Sequence, residues 1–167
     1  MRMMFTALAL GALVACPANA AQIRFQGGWF VTGVNGTASG QCDDYDPTGD
    51  RGVARFREPV AGTDNGSQSF LTLYSVSNLK GYRKEGKFST DYKPVETIYT
   101  GDNWGEDDSG GEAQPPQLRI KSLDRRPTAT KTTAETEFID LVVQIKNYDF
   151  MVGCVVTVKA ALIQRPD

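Results

Sequence analysis

Alternation between apolar and polar residues dominates the C-terminal part of this chain. In residues 137–146, and again in 151–163, every second side chain is apolar and many of these are β-branched. A period of two is typical of strands with one buried face. The intervening residues 147–150 (NYDF) include turn formers. We therefore predict an antiparallel hairpin whose inward set is Ile139, Leu141, Val143, Ile145, Val152, Cys154, Val156, Val158, Ala160 and Leu162.

Weaker strand patterns precede this hairpin and are separated by Gly, Pro, Asn and Asp. They cover residues 28–34, 52–57, 69–77, 97–100 and 118–123. No window after the N-terminal segment repeats apolar residues at helical spacing. Short strands with frequent turn signals are typical of all-β domains. The pattern predicts a single antiparallel β-sandwich, with a small β-barrel as the alternative.

The N-terminal segment has the pattern of a secretory signal peptide. An apolar run covers residues 6–15, Pro17 follows, and Ala18 and Ala20 form a small-residue cleavage site. The run is much shorter than the roughly 20 residues needed to cross a bilayer. We expect residues 1–20 to be removed and residues 21–167 to form one all-β domain. The protein is then exported, to the periplasm of a bacterium or to the medium.

A second interpretation of the same segment is a lipid anchor. Residues 13–16 (LVAC) resemble a bacterial lipobox, in which Cys16 would carry the lipid. Pro17 directly after the cysteine and the well-formed cleavage site favour the signal peptide. Either form of processing leaves Cys42 and Cys154 as a pair.

Two cysteines in an exported domain predict one disulfide. Cys42 and Cys154 lie 112 positions apart and lack the C-x-x-C spacing of a redox-active pair. The bridge would join an early glycine-rich loop to the last strand. We predict a structural disulfide.

Composition excludes several functions. The chain has no histidine, which excludes Ser-His-Asp triads, Cys-His dyads and ordinary histidine-ligated metal sites. Its 18 basic and 20 acidic residues give a net charge of −2, which argues against nucleic-acid binding. No cofactor is predicted, apart from the calcium ion considered next.

One candidate cation site is the run Asp44, Asp46, Thr48 and Asp50. Alternating oxygen ligands followed by a glycine resemble the first half of a calcium loop. The twelfth position is Arg55 instead of a bidentate acid, and Pro47 interrupts the run. The alternative is a turn in which the carboxylates cap backbone N–H groups.

Two charged stretches are candidates for binding. The acidic stretch includes Asp102, Trp104, Glu106, Asp107 and Asp108, and its tryptophan could anchor a protein or stack on a sugar. A solvated loop is the alternative. The basic stretch places Arg51, Arg55 and Arg57 on one side of a strand, where guanidinium groups could bind oxyanions. The alternative there is a solvated face paired with nearby acids.

These features predict an exported, non-enzymatic binding protein, an envelope accessory protein with an unidentified protein or glycan partner. The first alternative is a carbohydrate-binding module, with or without calcium. It requires a row of exposed aromatic side chains drawn from Trp29, Tyr82, Tyr92, Tyr99, Trp104 and Tyr148. The second alternative is a small glycoside hydrolase that uses paired carboxylates.

Overall fold

The computed structural model describes residues 22–35, 42, 46–60, 69–76, 80–99 and 114–165. The predicted signal peptide, residues 1–20, and the alternative anchor at Cys16 lie outside these residues. Within the described residues the structure has nine strands and two short 3₁₀ turns.

The fold is one antiparallel sheet of nine strands in the order β5-β7-β8-β9-β1-β2-β3-β4-β6. Val95 alone separates β5 from β6, and these two strands pair with opposite ends of the sheet, so the sheet nearly closes into a barrel. The all-β prediction is confirmed, and of the two predicted architectures this nearly closed sheet corresponds to the small barrel. The strands are β1 (Gln22–Asn35), β2 (Arg51–Pro59), β3 (Phe70–Ser75), β4 (Lys80–Glu85), β5 (Lys93–Pro94), β6 (Glu96–Tyr99), β7 (Gln117–Arg126), β8 (Phe138–Lys146) and β9 (Val155–Arg165).

The C-terminal hairpin is confirmed as the antiparallel pair β8–β9. Its predicted inward side chains are buried, with one exception: Val152 is 51% exposed. Residues 151–154, predicted as strand, belong to a longer turn. Asn147, Asp149 and Phe150 have positive φ, and Tyr148 N–H donates to the Cys154 carbonyl across the turn. This turn delays the start of β9 to Val155 and directs Val152 to solvent.

Strand β4 is absent from the sequence prediction. Its residues, KGYRKE, place Tyr82 inside the barrel, while Arg83 faces outward and Lys80 pairs with Asp149. Tyr82 is a single inward aromatic side chain among charged residues, so the sequence of this segment does not show a strand pattern. Pairing with β3 and β6 on either side therefore decides the conformation of this segment, as tertiary context commonly does for weak strands.

Side chains fill the barrel, and two glycines allow its strands to approach closely. A Cβ at Gly27 would lie 1.8 Å from a backbone oxygen of β9, and one at Gly52 would lie 1.7 Å from the Tyr74 carbonyl. The same carbonyl accepts a hydrogen bond from Trp29 Nε1 at 2.9 Å, which satisfies the one polar atom of a buried indole.

Buried polar groups hold both ends of the barrel. At one end, Arg125 donates to a Glu58 carboxylate oxygen at 2.6 Å, and Thr132 donates to the same oxygen. At the other end, the Tyr148 hydroxyl donates to the buried Asp50. These contacts satisfy polar atoms that burial would otherwise penalise.

The predicted disulfide is confirmed. Cys42 and Cys154 are bonded, with their Cα atoms 5.1 Å apart, inside the range that a disulfide can bridge. The bond links the β1–β2 connection to the residue before β9. It is compatible with an oxidising, exported environment.

Candidate functional site

The outward face of β9, β1 and β2 carries a row of arginines that only the strand register reveals. Arg24 of β1 lies directly opposite Arg57 of β2 and, on its other side, directly opposite Arg165 of β9. All three side chains are exposed. Like charges at directly opposed positions destabilise a sheet. Three guanidinium groups in register are therefore an arrangement that an anion would stabilise.

Further cations continue this surface along the same strands. Arg55 lies opposite Gln26 in the adjacent row, and Phe30 lies between Arg51 and Lys159 near the other end. Among the described residues of β9, β1 and β2, no acidic residue occupies an outward position. We call this surface the basic face, and its outward residues are Arg24, Gln26, Gly28, Phe30, Arg51, Val53, Arg55, Arg57, Lys159, Ala161, Ile163 and Arg165.

The arginines of the basic face differ in their ion pairs from arginines elsewhere on the barrel. In the described ranges, no carboxylate forms an ion pair with Arg55, Arg57 or Arg165. Two arginines elsewhere on the sheet do have such partners: Arg83 on β4 pairs with Glu85 and Glu96, and Arg126 on β7 pairs with an aspartate of β8. In the described residues, Arg55, Arg57 and Arg165 thus differ from Arg83 and Arg126, which each have a carboxylate partner.

The arginines surround a depression of about 280 Å³, lined by Arg24, Arg55, Arg57, Arg165 and three residues of β1 and β2. Aromatic rings support two of these side chains. Arg57 Cζ lies 6.0 Å from the centre of the Phe70 ring, and Arg55 Cζ lies 5.6 Å from that of Tyr74. Guanidinium forks match the geometry of phosphate, sulfate and carboxylate oxygens. This arrangement is suited to binding an oxyanion.

A second, apolar feature lies at the other end of the basic face. An open groove of about 800 Å³ runs over Gly28 and Ala161, with Phe30 and Val76 among its walls. A Cβ at Gly28 would contact only one backbone oxygen, at 3.8 Å, so the glycine leaves open space above the sheet.

Two carboxylates of the predicted calcium site, Asp46 and Asp50, form hydrogen bonds with different residues. Asp46 is exposed and accepts a hydrogen bond from Thr48 N–H at 2.9 Å, which caps the 3₁₀ turn Pro47–Gly49. Asp50 is instead buried against Tyr148. Asp44 lies outside the described residues, and within them no group of three or more acidic or cysteine side chains is gathered for a metal ion.

The Asp46 cap has an electrostatic consequence. Hydrogen bonds from the Thr48 hydroxyl, and then from its backbone N–H, hold the pKa of Asp46 below its ordinary value. The stabilisation from the ionised Asp46 carboxylate is therefore fully present at pH values above the ordinary pKa of aspartate. It is lost only as the pH falls through the lowered value.

The predicted acidic site, with Asp102, Trp104, Glu106, Asp107 and Asp108, lies outside the described residues. The pool of aromatics for a carbohydrate site is partly described. Its members Trp29, Tyr82 and Tyr148 are buried, and the Tyr92 ring lies under Arg119, with 4.6 Å between the guanidinium carbon and the ring centre. These four side chains do not form an exposed aromatic row.

Sequence reasoning found part of the basic face. Arg51, Arg55 and Arg57 were predicted on one side of a strand, and the structure confirms that all three are exposed on β2. Arg24 and Arg165 were missed because each is an isolated basic residue in its own segment. Their alternation with the buried Phe25 and Leu162 gives the side of the sheet, but only pairing brings them to Arg57.

Searches of protein-family models, curated proteins and solved structures found no match. Among the residues that the structure describes, no helix combines the length and apolar character needed to cross a lipid bilayer.

Proposed function

We propose that this chain is an exported, non-enzymatic binding protein that holds an anionic ligand on its basic face. The observation that carries the proposal is the register that aligns Arg57, Arg24 and Arg165 on adjacent strands. The disulfide supports export because such bonds persist in oxidising compartments.

The chemistry of the face favours phosphate or sulfate groups. Adjacent strands lie about 5 Å apart, so three aligned guanidinium groups can engage neighbouring oxyanions on one ligand. Arg55 also lines the depression and adds a fourth guanidinium group to these three. The ligand class is a molecule that carries more than one such group.

Thermal unfolding with inorganic pyrophosphate at low ionic strength tests the proposal. A ligand that binds only the folded state at 100 times its Kd stabilises it by about 2.7 kcal/mol, so the unfolding temperature should rise with concentration. The triple variant R55Q/R57Q/R165Q should lose most of this rise. These substitutions break no ion pair in the described chain, so the variant should remain folded.

The matched control is K87Q/K121Q/K131Q, which removes three exposed cations outside the basic face. It lowers the net charge equally and should respond to pyrophosphate like the unchanged protein. An equal loss of response in both triple variants would show that net charge, and not the basic face, attracts the anion. Absence of any response in the unchanged protein would contradict the proposal directly.

A further inference from the structure

Exposed apolar side chains are concentrated on or beside the basic face. In the described residues, four large apolar side chains are more than half exposed: Phe30 (52%), Val76 (59%), Val152 (51%) and Ile163 (53%). Phe30 and Ile163 project from the face itself, and Val76 borders its groove. Val152 lies apart from them, in the β8–β9 turn.

The apolar and cationic side chains alternate with each other. Phe30 is flanked on adjacent strands by Arg51 and Lys159. Ile163 lies two residues from Arg165 on the same strand, so both side chains point outward. A hydrated polyanion would gain nothing from Phe30 and Ile163. The surface of an anionic bilayer offers both phosphate groups and an apolar layer beneath them.

The dimensions of the face favour an extended surface over a single small molecule. Arg24 and Phe30 are six residues apart on β1, which corresponds to about 20 Å along the strand. The cations occupy both ends of this strip, and the open groove lies within it. On the neighbouring strand β8, Asp140 is paired with Arg126 of β7. The outline is a long cationic strip with apolar projections.

We propose that the basic face docks on an anionic lipid surface, with its arginines on headgroup phosphates and with Phe30, Val76 and Ile163 entering the interfacial layer. This inference rests on the anion-binding function proposed above and names the source of the anion. The mode is peripheral: side chains of β9, β1 and β2, together with Val76 after β3, touch the membrane, and the barrel stays outside it.

The experiment compares vesicles with a soluble anion. The purified protein is sedimented with vesicles made of equal parts phosphatidylcholine and phosphatidylglycerol, and with vesicles of phosphatidylcholine alone. Inorganic polyphosphate is titrated in parallel as the soluble ligand. Binding is expected to the anionic vesicles and to polyphosphate, and not to the neutral vesicles.

Substitutions separate the contribution of the cations from that of the exposed apolar side chains. Removal of a cation near an anionic surface weakens binding by about fivefold, so R55Q/R57Q/R165Q should bind anionic vesicles roughly 100-fold more weakly. F30S and I163S should each lose about fivefold on vesicles because they remove half-exposed apolar area. Both should keep full affinity for polyphosphate. V152S is the matched apolar control and should bind vesicles normally.

Each contrary result has a definite meaning. Binding to polyphosphate without binding to anionic vesicles would overturn the lipid inference and leave anion binding in place. The same conclusion follows if F30S and I163S bind anionic vesicles as tightly as V152S, or if neutral vesicles bind equally well. Failure to bind polyphosphate and both vesicles would overturn the inference and the proposed function together.

Discussion

Reduction of the Cys42–Cys154 disulfide is a quantitative test of how the barrel is stabilised. The bond closes a loop of 112 positions, which includes every strand from β2 to β8. In the chain-entropy account, a loop of this length restricts the unfolded chain by about 4.8 kcal/mol at 25 °C. That value is a large share of the 5–15 kcal/mol that is typical of whole domains.

The assay is urea unfolding of the oxidised protein and of the same protein with reductant. With an m value of about 2 kcal/mol/M, the loss corresponds to a midpoint lower by about 2.4 M urea. In thermal unfolding, the same loss corresponds to a decrease of roughly 10–20 °C. The slope m itself should increase on reduction, because the unfolded chain without its cross-link exposes more surface.

The double variant C42A/C154A is the control for the reductant, since it has no bridge to lose and its midpoint should not move. A difference below about 1 kcal/mol between oxidised and reduced protein would refute the loop argument. It would mean that contacts between the two chain segments persist in the unfolded state without the bond.

Four further substitutions test the packing, each measured by urea unfolding. Gly27→Ala should cost roughly 2–3 kcal/mol because its Cβ would collide with a β9 backbone oxygen, whereas Gly28→Ala, with open space above it, should change stability by less than about 0.5 kcal/mol. Glu58→Gln should cost about 3 kcal/mol because it leaves the buried Arg125 without a carboxylate; an unchanged midpoint would contradict this account. Tyr148→Phe removes the hydroxyl that donates to a buried aspartate and should cost about 1–3 kcal/mol, and a neutral result would mean that the carboxylate finds another donor.

The fold was predictable wherever the alternation of apolar and polar residues extended without interruption over a whole strand. In β8 and β9 the alternation runs without interruption, and the structure confirms the inward set apart from Val152. Prediction failed in β4, where Tyr82 is the only large apolar side chain and lysine and arginine surround it. It also failed at the β8–β9 turn, where Asn147 and Asp149 adopt left-handed conformations and lengthen the connection.

The candidate site was less predictable than the fold because its residues are distant in sequence. One strand supplies Arg55 and Arg57, and their shared parity was visible in the sequence. Arg24 and Arg165 are separated by 141 positions, and nothing local relates them. The close approach of β1 and β9, which Gly27 permits, brings the two arginines together. Cross-strand register is a property of the closed sheet, and composition does not contain it.

The net charge of this chain does not describe the charge of its basic face. The total of −2 is a sum over 18 basic and 20 acidic residues, and in the sequence analysis it argues against nucleic-acid binding. In the described strands these charges are distributed unevenly: the outward side of β9, β1 and β2 has six cations and no carboxylate, while paired acids lie on β4, β6 and β8. Salt screens charges beyond about 8–10 Å, so a ligand at the basic face senses those six cations more than the chain's total charge. An anionic ligand of the kind proposed would meet the charge of this face, whose sign is opposite to that of the chain's total charge.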